Sequence, residues 1–116
     1  MSTEERRGPL RIPTEKIVAY LLNLDHRKGG PKARFFLSFG FTREEPGVMA
    51  EALIGQFFLG RSTTLPETED ALERVIVEGE IVSPDGRNPR VRAVWQREEG
   101  EVVAWRLITV VPITTR

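Results

Sequence analysis

Along the first half of the chain the apolar positions recur at helical spacing, and along the second half they alternate. Ile17, Val18, Leu21 and Leu22 follow Thr14, a good N-cap residue, and the run stops at Asn23, which predicts a short amphipathic first helix. Pro31, behind Gly29 and Gly30, is the favoured first residue of a second helix running to Phe39, and Gly40 stands where a C-cap glycine belongs. Pro46 opens a third helix. Its apolar residues Val48, Met49, Ala52, Leu53, Ile54, Phe57 and Phe58 wrap most of the circumference before Gly60, the pattern of a mostly buried helix. Residues 61–70, with Pro66 and several Thr and Glu residues, read as a surface crossing.

From Arg74 the period becomes two. Runs over 74–82, 90–97 and 102–111 are separated by Pro84-Asp85-Gly86-Arg87-Asn88-Pro89 and by Glu98-Glu99-Gly100, so an antiparallel meander is expected. Placing Gly100 at the left-handed third position of a three-residue loop pairs Arg97 with Glu101. In that register Val91, Ala93 and Trp95 share a core face with Val103, Trp105 and Leu107, and Arg90, Arg92, Gln96 and Arg106 share the other. The expected fold class is α+β, with about three N-terminal helices packed on a C-terminal antiparallel sheet of three strands, four at most. Residues 1–11 are expected to be a flexible N-terminal segment and 12–116 one domain, a size that buries a real core.

Composition narrows the chemistry. With no cysteine and one histidine, disulfides, thiolate metal sites and cysteine nucleophiles are excluded and a zinc site has little to work with, so no metal and no cofactor is expected. The 17 basic and 17 acidic residues cancel, and any nucleic acid must be met by a local patch. No apolar run approaches the roughly 20 residues that a spanning helix needs, and the polar start from Met1 to Pro9 lacks a secretory signal's apolar stretch. A cytoplasmic protein without membrane contact is expected.

The most unusual stretch runs from His26 to Arg34. A glycine-rich approach to a helix N-terminus leaves backbone N–H groups to receive an anion, so Gly29 and Gly30, with Lys32 and Arg34 adding charge, form a candidate anion site. Lys32 stands in a first helical turn, where a cation opposes the dipole, and on the face of Phe35, Phe36 and Phe39. Either an anion holds it there or its stem lies along the phenylalanines while the ammonium reaches solvent. Histidine is the one side-chain type that ordinarily titrates near neutrality, which makes His26 the acid–base candidate; otherwise it is a loop imidazole bonded to Asp25 or to helix-end carbonyls. Arg90, Arg92 and Arg106 are candidate phosphate contacts, and Trp95 or Trp105 a stacking surface where exposed. Glu78 and Glu80 are placed to neutralise those arginines across the strands. Thr109 and Tyr20 add hydroxyls that reach either a site or nearby backbone.

The residues Tyr20-Leu21-Leu22-Asn23, His26, Gly30, Lys32-Ala33 and Phe35, followed by Asp85-Gly86-Arg87, Val91-Arg92, Val94-Trp95 and Arg106-Leu107-Ile108-Thr109, carry a resemblance across most of the chain. The chain resembles a bacterial domain family of unassigned function, found standalone or as C-terminal modules of large phage-related or polymorphic-toxin-like proteins. That resemblance implies toxin-type nuclease activity. It places the family signature on His26, Gly30, Lys32, Arg92, Trp95, Arg106 and Thr109, and this chain departs from the family's form in having no Tyr-Gly pair before its first strand. The order of helices before a sheet also resembles the barnase, colicin and RelE-like ribonuclease architecture, an analogy of fold alone.

Together these point to a metal-independent, RNA-directed domain. Lys32 with Arg92 or Arg106 would neutralise a phosphodiester, His26 would act as general acid or base, and Thr109 would complete the catalytic set. The partner is then RNA or another phosphate-bearing ligand. The rival is a non-enzymatic module whose partner is a protein. The catalytic reading requires His26, Lys32 and the sheet arginines to meet in one cleft.

Overall fold

The computed structural model describes residues 9–27, 30–100 and 102–113. In chain order these form β1 (Leu10–Arg11), a π-helix (Lys16–Leu21), α1 (Gly30–Ser38), α2 (Pro46–Leu59), β2 (Arg61–Leu65), β3 (Arg74–Glu80), β4 (Arg90–Glu98) and β5 (Ala104–Pro112). The α+β class holds, but the sheet is larger than the sequence suggested: five strands in the order β1-β5-β4-β3-β2. β2, β3, β4 and β5 pair antiparallel with their neighbours, and β1 joins the far edge parallel to β5. The segment 1–11 expected to be loose ends in β1, and its first eight residues lie outside the described ones.

Residues 61–65, read as part of a crossing, are β2. Thr63 sits opposite Ile76 and Leu65 opposite Arg74. The Arg-Ser-Thr-Thr-Leu sequence has the β-branched threonines of a strand without an apolar face, because an edge strand does not need one. At its start the chain passes so close to β3 that a Cβ on Gly60 would lie 2.7 Å from Val77 Cγ1 and 2.8 Å from the Glu78 carbonyl oxygen. Only glycine allows that approach.

The β4–β5 register also differs from the expected one. Trp95 pairs with Leu107, Gln96 with Arg106 and Arg97 with Trp105, so β5 starts at Ala104 and the connection is longer than three residues. Gly100 is not left-handed, and Val103 is exposed rather than core. The slip is an even number of residues along β5, so Trp95, Trp105 and Leu107 still face the core and Gln96 and Arg106 still share the other side.

The core joins the π-helix (Ile17, Leu21), α1 (Phe36), α2 (Met49, Leu53, Phe57) and the inner sheet residues Val75, Val77, Ala93, Trp95, Leu107 and Val110. Phe57 and Trp95 meet edge to face at 5.1 Å, which locks α2 to β4. Gln56, itself buried, adds a polar tie by donating to the Gly79 and Val91 carbonyl oxygens at 3.0 Å each. Both tryptophans are buried, at 0% and 2% exposure, so neither offers a surface on which a base could stack.

The loop between β3 and β4 clamps the end of α1. Arg87 donates to the Ser38 carbonyl oxygen at 2.7 Å and lies 4.3 Å from the centre of the Phe39 ring. Asp85 holds this loop in shape. The Arg87 backbone N–H, then the Ser83 hydroxyl and the Arg87 guanidinium, keep its carboxyl below the ordinary 3.8 against a smaller opposing effect of burial. A carboxyl depressed in the folded state adds stability above its unfolded value and loses it as the pH falls through the folded one. Stability is therefore expected to fall on acidification below about pH 4 less steeply in Asp85→Asn than in the wild type, as read by urea denaturation across that range.

Candidate functional site

The site is built from local turns in the His26 segment. The π-helix closes with the Leu22 N–H on the Ile17 carbonyl oxygen at 2.8 Å, a wider winding than an α-helix. No side chain caps it, so the N-cap role expected of Thr14 is not used. Asn23 does end the helix: its side-chain amide donates to the Ala19 carbonyl oxygen at 3.2 Å, and its side-chain oxygen accepts from the Asp25 N–H at 3.0 Å. The turn continues with His26 N–H to the Asn23 carbonyl at 3.1 Å and Gly30 N–H to the His26 carbonyl at 2.8 Å. This double turn folds His26 back onto the helix, where its ring meets Tyr20 edge to face at 4.7 Å.

Gly30 is accordingly not an anion cradle. Its N–H is spent on His26, and a Cβ there would lie 2.8 Å from the Leu24 carbonyl oxygen, so the glycine serves a tight crossing of chain over chain. Gly29 lies outside the described residues, and Arg34 is on the exposed side of α1. Lys32 is bound to two hydroxyls. Its ammonium donates to the Tyr20 hydroxyl at 3.0 Å and to the Thr109 hydroxyl at 3.1 Å, joining residues from three elements.

Thr109 reaches this meeting point through a bulge in β5. Val94 pairs with Thr109 but Trp95 pairs with Leu107, so Ile108 is an extra residue. In a regular strand Thr109 would follow Leu107 onto the core face; with the insertion Val110 takes that place, and Leu107 and Val110 are both fully buried. Bulges re-aim side chains in this way.

Tyr20, His26, Lys16 and Arg106, with Glu15, Ala19 and Pro13, line a cleft of about 460 Å³. The Lys16 and Lys32 ammonium groups lie 5.4 and 5.1 Å from the centre of the Tyr20 ring. The hydrogen bond from Lys32 is the main influence holding the Tyr20 phenol below its ordinary 10.0; burial opposes it, and the Lys32 charge, the Thr109 hydroxyl and the Lys16 charge add to it. Glu15 is the one acid among the lining residues, and Glu98 approaches Arg106 only to 4.0 Å while bonding Arg11 at 3.1 Å. The cleft is cationic although the chain is neutral.

Of the five residues assigned to catalysis from sequence, Lys32 bonds both Tyr20 and Thr109, and His26 and Arg106 line the cleft with Tyr20. Arg92 does not. It lies along the sheet, bound to Glu78 of β3 through Nε and Nη2 at 2.6 Å each, the cross-strand neutralisation the alternating glutamates suggested. The sequence reading underrated Tyr20 and left out Lys16, which stands four residues earlier and on the same helix face. A second, larger cleft of about 570 Å³ is lined by Gly60, Arg61, Glu78, Glu80 and Arg90, with acids and arginines interleaved and no lysine, histidine or tyrosine.

An α+β domain with a tyrosine-centred cationic cleft is the class that fold and site define. The chain belongs to a domain family of unknown function, DUF6883, whose profile matches residues 7–114. No curated protein matches the chain in sequence. Among solved structures, a chain of a contact-dependent growth inhibition toxin–immunity protein complex from Klebsiella pneumoniae 342 is similar in fold, with a TM-score of 0.68. The match covers 90% of this chain and 93% of that one at 13% identity. No helix of the described residues is long and apolar enough to cross a membrane.

Proposed function

We propose that this domain cleaves RNA without a metal ion, by attack of a ribose 2′-hydroxyl on the adjacent phosphodiester. The observation that carries the reading is that Lys16, His26 and Arg106 line one cleft with Tyr20, whose hydroxyl accepts from Lys32. Positive charge there attracts the phosphate and stabilises the charge that grows on its oxygens during attack. His26, at the cleft wall, is the group that exchanges a proton with the reacting oxygens. The fold shared with a chain of a toxin–immunity complex supports a toxin-like role for such an activity.

The test is incubation of the wild-type protein with mixed RNAs in the presence of a chelator. Fragments ending in 2′,3′-cyclic phosphate and 5′-hydroxyl are expected. His26→Ala is expected to slow their formation by roughly 10²–10⁴-fold, the usual worth of a positioned acid or base. Arg92→Ala, which removes an exposed ion pair away from the cleft, leaves the rate unchanged.

A second reading has its own observation. Phe58, Leu59 and Val82 are exposed at 61%, 89% and 72%, and Leu59 and Val82 border an apolar groove of about 340 Å³ beside α2. Such a surface suits a protein partner. A wild-type protein inert on every RNA would favour that module over the nuclease.

A further inference from the structure

We infer that Tyr20 is the general base of the cleft, taking the proton of the attacking 2′-hydroxyl, with Lys32 and Thr109 holding its oxygen ready. This rests on the ribonuclease reading and divides a task that His26 cannot perform alone, since one proton must be removed from the nucleophile and another given to the leaving group.

The geometry assigns the two roles. Lys32 is an ammonium with three donors and no acceptor, so in the 3.0 Å contact the Tyr20 oxygen must accept. Thr109 accepts from the same ammonium at 3.1 Å and so fixes its position. An oxygen that accepts from a cation is stabilised as phenolate, and a phenolate takes protons. Two cations lie against the ring, Lys16 from the same helix and Lys32 from α1, while Glu15, His26 and Arg106 line the cleft beside it. The two lysines draw the phenol below 10.0, which enlarges the phenolate fraction. His26, edge-on to the ring at 4.7 Å, is near enough to serve the opposite side of the same phosphodiester.

The step balances. The 2′-oxygen forms a bond to phosphorus as its proton passes to the Tyr20 oxygen. The bond from phosphorus to the 5′-oxygen breaks, and that oxygen takes a proton from the His26 imidazolium. The products are a 2′,3′-cyclic phosphate and a 5′-hydroxyl. Tyr20 and His26 then exchange protons with water to reset.

Tyr20 is the only tyrosine of the chain, so the near-ultraviolet absorbance of tyrosinate reports on it alone. Titration of the intact protein is expected to show a midpoint below 10.0 that rises in Lys32→Met and stays depressed in Lys32→Arg. In the RNA assay, Tyr20→Phe is expected to lose about 10²-fold or more in rate, and with it the tenfold rise per pH unit on the acidic limb of the rate profile. Its melting temperature and its RNA affinity by fluorescence anisotropy should be kept. A wild-type midpoint at or above 10.0, or a Tyr20→Phe protein with the wild-type rate and pH slope, overturns the assignment. A wild type that cleaves no RNA overturns the ribonuclease reading and the base role with it. Cleavage that survives Tyr20→Phe removes the base role alone.

Discussion

Lys32→Met is expected to slow RNA cleavage by about 10²–10³-fold, the loss seen when one preorganised donor is removed from a reacting centre. The reason is local. Lys32 bonds both the Tyr20 and the Thr109 hydroxyls, so its removal takes away the charge behind the phenol and a link between the π-helix and β5. Methionine is close to lysine in length and unbranched, and its stem can follow the same path. Two hydrogen bonds worth about 1 kcal/mol each are lost, partly offset by no longer confining a charge in a half-buried place. Rate and stability should therefore separate: the midpoint of urea unfolding should move little while turnover collapses. Thr109→Val removes one acceptor and leaves the lysine charge, so its effect on rate should be smaller than that of Lys32→Met. Equal losses in the two variants would mean that the lysine acts through structure and not through charge.

How much of this was legible in the sequence depends on whether a residue's role is set locally. α1 and α2 could be read because proline opens or nearly opens each and glycine follows it, and their apolar spacing follows from packing on the sheet. Gly40, with φ of 100°, occupies the left-handed position expected of it. β2 was not legible, because an edge strand of polar residues has no hydrophobic period, and β1 is only two residues long, paired with Trp105 and Arg106 of β5. Gly100 misled because a glycine in a hairpin loop suggests a tight turn, while the β4–β5 pairing ends at Glu98 and Ala104.

The site divides along the same line. Lys32 stood out in the sequence as a cation in the wrong half of a helix, and that oddity marked a real feature. Its partners did not stand out, since Thr109 is 77 positions away and is turned toward the lysine only by the extra residue Ile108, hidden within an apolar run. Arg92 and Arg106 looked alike by alternation. Strand order separates them, giving Arg92 a glutamate on β3 and leaving Arg106, on the strand beside short β1, at the cleft.

Trp95→Ala is expected to cost about 3–5 kcal/mol of folding stability, the range for removing a large aromatic from a core. Trp95 is fully buried, packs edge to face on Phe57, and lies on the strand that Gln56 ties to α2. The loss should fall in the lower part of that range, because the indole N–H has no partner among the described residues and truncation relieves a buried donor worth about 1–3 kcal/mol. Trp95→Phe separates the two effects. It keeps most of the packing against Phe57 and removes the unpaired N–H, so it should be far milder than the alanine variant. Against a total stability of about 5–15 kcal/mol, the alanine protein should unfold at much lower urea concentration or fail to fold at 37 °C. A Trp95→Ala protein as stable as the wild type would mean that α2 is held to the sheet by Gln56 and its neighbours rather than by this aromatic pair.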